Sequence, residues 1–218
     1  MHRIILTGIA ALTFGTIALP AAGDVLIDYR DDAFRSGSPF YSAAQRRDVE
    51  AALKTAPKEI AKRFAKGFSI AGDATGAFTA PGAKERVLLI QDKAAVAIEP
   101  FPSSGAPVLL IMQDKRPIGV RSLPGDVQYQ RLVAASDVDA DGRDEVFLEA
   151  SFMNMGQTTV SLDVVAVGDG ETAKVKKTLE NVYFDGCDNP TGEKSRSAST
   201  ISIDNGLKTK SFKETCPR

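Results

Sequence analysis

The pattern of apolar and polar positions changes character three times along the chain. Ile4 to Leu19 is a run of apolar and small residues without a charge. Asp24 to Tyr41 is polar, with the turn-forming Gly37-Ser38-Pro39, and reads as an extended lead-in. From Ser42 the period is helical. Val49, Leu53, Ala56, Ile60 and Phe64 recur at steps of three and four, which places them on one face of an amphipathic helix. Ser42 followed by Gln45 has the form of a capping box, satisfying two helix amides that have no partner of their own. Pro57 either kinks this helix or opens a second short one as its first residue. Lys62, Arg63 and Lys66 crowd its C-terminal end, where cations are favoured, and Gly67 is a ready cap. The Lys54, Lys58 and Lys62 stripe reads as a solvated face.

Beyond Gly67 the helical period disappears. Short apolar runs at Val87–Ile90, Ala94–Ile98, Val108–Met112, Pro117–Leu123, Gln130–Ala135, Val146–Phe152, Thr158–Val167 and Ala173–Leu179 alternate with turn-forming clusters. A spacing of about 8–12 residues between runs predicts antiparallel β-structure. Ile201 to Asp204 and Leu207 to Phe212 flank Asn205-Gly206, a pair suited to a type I′ hairpin turn. No stretch resembles a βαβ crossover. The expected domains are a signal peptide over 1–23, a lead-in with the amphipathic helix over 24–67, and an antiparallel β domain over 68–218.

Residues 1–23 have the layout of a secretory signal: Arg3, the apolar run, then Pro20-Ala21-Ala22-Gly23 with small residues for cleavage before Asp24. The run is about 16 residues, short of the roughly 20 needed for a membrane span. The expectation is export, to the periplasm or beyond, with no transmembrane span after cleavage. Export decides the chemistry available. The chain's one histidine is His2, so the mature protein would have no imidazole. That excludes Ser-His-Asp and Cys-His catalysis and His-ligated zinc. The two cysteines, Cys187 and Cys216, are expected to pair in an oxidising compartment. Closing that loop of about 30 residues is worth roughly 3.5 kcal/mol on chain-entropy grounds. Lys and Arg number 27 against 28 Asp and Glu, which does not suit a nucleic-acid partner.

The segment Asp137-Val138-Asp139-Ala140-Asp141-Gly142-Arg143-Asp144-Glu145 carries the chemistry. Carboxylates at its first, third and fifth positions converge when the loop curls, and Gly142 permits the turn. A main-chain carbonyl at Arg143 and the acid of Glu145 complete a shell of hard oxygen ligands suited to Ca²⁺. An EF-hand is excluded, because its twelfth position requires Glu and Leu148 stands there, and because the flanks read as strands. The strand–DxDxDG–strand arrangement over about Leu132 to Ser151 resembles the calcium loop of FG-GAP/VCBS-type repeats, as in the propeller blades of integrin α-chains. The resemblance implies Ca²⁺ held by Asp137, Asp139, Asp141 and Glu145 with the carbonyl of Arg143. Glu145 stands where the family usually has Asp, and Asp144 is the alternative ligand. The chain is too short for a closed propeller. The fold expected is therefore mainly β, an antiparallel blade-like or sandwiched sheet with an N-terminal amphipathic helix.

A weak internal repeat is also visible. Ile70-Ala71-Gly72-Asp73, then a Gly-rich connector, precedes Glu85-Arg86-Val87-Leu88, much as Ala134-Ala135-Ser136-Asp137 and the acidic loop precede Glu145-Val146-Phe147-Leu148, each copy placing an Asp at a strand end and a Glu at the opening of the next strand. The first copy lacks the acids, and no metal is assigned to it. Together these features point to an exported calcium-binding module without enzymatic activity, structural or serving an unidentified protein or glycan partner. The alternative is a secreted, glycan-directed hydrolase using carboxylates such as Asp144 and Glu149. No Trp and 4 Tyr supply little for stacking sugars.

Overall fold

A computed structural model describes residues 24–92, 105–124, 127–192 and 194–216. The expected signal segment and the expected strand over 94–98 lie outside the described residues. The order is β1 (Val25–Asp28), α1 (Asp32–Ser36), α2 (Ala43–Lys54), α3 (Lys58–Phe64), β2 (Ser69–Gly76), β3 (Glu85–Gln91), β4 (Val108–Gln113), β5 (Arg116–Ser122), β6 (Arg131–Ser136), β7 (Glu145–Asn154), β8 (Gln157–Ala166), β9 (Lys174–Asp185), β10 (Arg196–Ile203) and β11 (Leu207–Glu214). The protein is mainly β, as its sequence pattern predicts, and every ladder between these strands is antiparallel.

Two consecutive four-stranded meanders form the centre, β2-β3-β4-β5 and β6-β7-β8-β9. The second continues through β10 to β1, making a seven-stranded sheet with β11 on the far side of β10. This sheet curls until its edges β1 and β6 approach, giving a nearly closed, barrel-like form. A closed propeller is not formed. β1 belongs to this sheet, so the lead-in is not merely a connector: Val25 to Asp28 ladder along β10 and bury Ile27 and Tyr29.

Three apolar layers hold the sheets. Val87, Leu89, Leu109 and Ile111 of the first sheet face Val146, Leu148 and Val165 of the second. The opposite face of the first sheet, with Leu88, Ile90, Leu110 and Met112, is covered by Val49, Leu53 and Phe64 of the helices. The second sheet's other face closes on Ile27, Tyr29, Phe147, Leu162, Val182 and Ile201. Both faces of β3, β4 and the first half of β7 are therefore covered. That is why their sequences read as continuous apolar runs rather than alternations.

Local signals are realised closely. The Ser42 and Gln45 capping box is present. At Pro57 the second alternative holds, with Pro57 as the N-cap of α3 rather than its first residue. Asn205 and Gly206 both take positive φ, but within a three-residue loop that closes on the Ile203–Leu207 pair. Cys187 and Cys216 form the disulfide, tying the turn after β9 to the end of β11.

The two similar stretches form equivalent hairpins. Gly76 pairs Glu85 at the mouth of one, and Ser136 pairs Glu145 at the mouth of the other. The first strand of each carries an extra bulged residue. The Ile70–Asp73 segment lies in β2, which runs on past Asp73, the expected strand end, to Gly76. Its two glycines hide a strand whose backbone lies against another backbone.

Candidate metal centre

The acidic loop spans the β6–β7 hairpin, where Ala140 (φ 60°) and Gly142 (φ 85°) make the turn. Asp137 faces inward and accepts the amides of Asp141 (3.2 Å) and Gly142 (2.9 Å). Glu145 opens β7, is almost fully buried, and accepts the amide of Val138 (3.1 Å). Carboxylate oxygens of Asp137, Asp139 and Glu145 all lie within 4.8 Å of one another. Like charges this close repel strongly unless a cation joins them.

Asp141 is not brought into this group. Its carboxylate turns outward, accepting the Arg143 amide (2.8 Å) and pairing with the Arg143 guanidinium (3.0 Å). That pairing, through the hydrogen bond to Arg143, holds the Asp141 carboxyl below its usual range. Asp144 is engaged elsewhere. Its carboxylate accepts the Ala77 amide (2.7 Å) while its own amide donates to the Ala77 carbonyl (2.7 Å). It clamps the acidic hairpin to the β2–β3 hairpin.

Lys176 is the residue that sequence reasoning missed. Its ammonium donates to Asp139 and to Glu145, at 2.9 Å in the second case. Those hydrogen bonds, to Asp139 first and then Glu145, raise its pKa. Between the pairs Val164–Lys177 and Val165–Val175, Lys176 is the extra residue of a β-bulge. Bulges re-aim side chains, and this one aims an ammonium from β9 into the acidic loop. The only sequence trace is a lysine in a lysine-rich run, whose pairing partner is set by three-dimensional register.

The equivalent loop of the first hairpin is built without acids. There Glu85 accepts the amides of Phe78 (2.8 Å) and Thr79 (2.9 Å), so its carboxylate is satisfied by main-chain donors. Glu149, the other acid singled out, lies farther along β7. It accepts Arg131 (2.6 Å) and the Tyr29 hydroxyl (3.0 Å). Burial, then the Glu149 charge, pushes the Tyr29 phenol well above its ordinary value. Asp144 and Glu149 are five residues apart on an extended chain, roughly 16 Å at about 3.3 Å per residue. That is too far for the paired-acid geometry of glycoside hydrolysis.

Comparison with known protein families, curated proteins and solved structures finds no match to this chain.

Proposed function

We propose that the chain is an exported calcium-binding module without catalytic activity, whose Ca²⁺ braces the β6–β7 hairpin in the manner of an FG-GAP-type loop. The observation that carries this reading is the convergence of Asp137, Asp139 and Glu145 within 4.8 Å at the mouth of a hairpin. The strand–loop–strand setting, with β6 before the loop and β7 after it, is the one the resemblance requires. The disulfide is consistent with an oxidising compartment, and no helix among the described residues is long and apolar enough to cross a membrane. Asp144 and Glu149 are each engaged in structural contacts, which favours a binding role over the carboxylate-hydrolase alternative.

Calorimetric titration with Ca²⁺, alongside melting curves, tests the reading. With a Kd of about 10–100 μM and about 1 mM free Ca²⁺, linkage stabilises the fold by roughly 1.4–2.7 kcal/mol. Asp139→Ala abolishes that gain. A gain that persists in Asp139→Ala places the metal elsewhere, and a heat of binding absent from the wild type rejects the site.

A further inference from the structure

The mouth of the barrel-like sheet opposite the acidic loop is also polar, but its character is set by guanidinium groups. Antiparallel pairing brings the start of β6, the middle of β7, the start of β8, the end of β9 and the start of β10 to this end. The short α1 helix lies over it. A cavity of about 490 Å³ opens here between Arg35, Arg131, Arg196, Tyr29, Tyr183 and Glu149. It shares Arg35, Ser36, Arg131, Glu149 and Ser151 with a second cavity of about 410 Å³ that runs on beneath residues 37–39. Barrel mouths of this size are a common setting for small-molecule sites.

Two of the three guanidiniums pair with carboxylates that are themselves largely shielded from solvent. Arg131 is held by Glu149 (2.6 Å) and donates to the carbonyls of Phe34 (2.7 Å) and Gly37 (2.9 Å). Arg196 is held by Asp185 (2.5 Å). Arg35 differs. Its guanidinium lies over the Tyr183 ring, 4.6 Å from the centroid, and is anchored to the Tyr29 carbonyl. Its ionic partner is Asp32, whose side chain is 90% exposed while that of Arg35 is 14% exposed. A carboxylate standing in solvent contributes little to such a pair, so another oxyanion can replace it. Ser151 and Thr158 line the same cavity, and their hydroxyls make no hydrogen bond among the described residues.

We propose that this mouth binds a small organic anion, whose carboxylate or phosphate takes the place of Asp32 on Arg35 and whose apolar body lies along Tyr183 and Val160. The planar fork of a guanidinium matches either oxyanion through paired hydrogen bonds. The free hydroxyls of Ser151 and Thr158 supply further donors. The site stands apart from the acidic loop and does not depend on Ca²⁺.

Benzoate and inorganic phosphate, titrated separately into isotopically labelled protein and followed by amide chemical shifts, test it. Saturable shifts at residues 151, 158 and 183 are expected with at least one probe. Preference for benzoate identifies a carboxylate with an apolar body, and preference for phosphate identifies a phosphoryl ligand. Arg35→Gln weakens binding at least about ten-fold, as loss of a charge-assisted hydrogen-bonded pair does. Asp32→Asn tightens it about three-fold by removing the competing carboxylate. Failure of both probes to saturate by about 10 mM, or equal affinity in folded Arg35→Gln, overturns the proposal. Should Arg35→Gln not fold, Asp32→Asn decides, because the Asp32 side chain is exposed: unchanged or weaker affinity in that variant also overturns it.

Discussion

The backbone of Gly72 rests on the backbone of Leu132, so closely that a β-carbon on Gly72 would lie 2.4 Å from the Leu132 carbonyl oxygen. This contact joins β2 and β6, the edge strands along which the two sheets meet. Gly72 also takes φ 130°, a conformation closed to other residues. Gly72→Ala therefore faces both a backbone clash and a strained dihedral. A loss of about 3 kcal/mol or more is expected in urea unfolding. Gly82 also has positive φ (74°), but nothing stands within 4 Å of its would-be β-carbon. Gly82→Ala is expected to cost only about 1 kcal/mol. Equal costs would show that the close approach at Gly72 is not what holds the sheets together.

Asp144 joins the same two hairpins at their tips through its reciprocal hydrogen bonds with Ala77. Asp144→Ala removes the acceptor for a main-chain amide, at a cost of about 1–2 kcal/mol. Because the carboxylate points to Ala77 and not to Asp137, Asp139 and Glu145, the Ca²⁺-dependent rise in melting temperature is expected to survive. A variant with normal stability and no calcium response would make Asp144 a ligand after all.

The fold was legible wherever one interaction dominates a stretch of sequence. Ser42 with Gln45, the apolar runs of β3, β4 and β7, and the Asn205-Gly206 turn each announce themselves locally. The extent of β2 beyond Asp73 escaped because Gly72 and Gly76 are placed for a neighbouring backbone and for Asp144, relationships that only the folded chain creates. β1 escaped because four residues beside charges carry little period, and their partner β10 lies far along the chain. The loop's acids were legible as a group. Which of them converge was not, since Asp141 is diverted by Arg143, its neighbour by two, and Lys176 arrives through a bulge in a different hairpin.

Asp185 gathers three donors at the end of β9: Arg196, the Tyr183 hydroxyl and the Cys187 amide. Burial alone would raise its pKa, but the hydrogen bonds, chiefly from Arg196, outweigh that and lower it. A depressed folded-state pKa stabilises the fold above the unfolded value near 3.8 and is lost as the pH falls through the folded value. Asp185→Asn is therefore expected to cost about 1 kcal/mol at neutral pH, with the gap to wild type closing below about pH 4. Chemical unfolding across pH 2–7 measures it. A gap that stays constant with pH would assign the loss to packing rather than to the charge.

Lys176 supplies the positive charge at Asp139 and Glu145, because the loop's own cation, Arg143, is turned to Asp141. Its ammonium bridges Asp139 and Glu145, and the Glu145 side chain is only 2% exposed. Lys176→Met keeps the length of the stem and removes the charge, leaving Glu145 buried beside two other carboxylates with no cation. In the absence of calcium this is expected to destabilise the protein by about 2 kcal/mol or more, the usual result of removing one partner from a buried pair. On the proposed calcium reading, the ion then has a different task in the two proteins. In the wild type it competes with the ammonium for the same oxygens. In the variant it meets an unneutralised cluster, so its affinity and its stabilising effect are both larger. Adding about 1 mM Ca²⁺ is thus expected to restore much of the variant's lost stability and to raise its melting temperature by more than that of the wild type. Mg²⁺, which demands a tighter octahedral shell, restores less. Full stability of Lys176→Met without calcium would show that the loop needs no cation, and a loss that calcium does not repair would leave Lys176 as the site's permanent counter-ion, with the metal reading rejected.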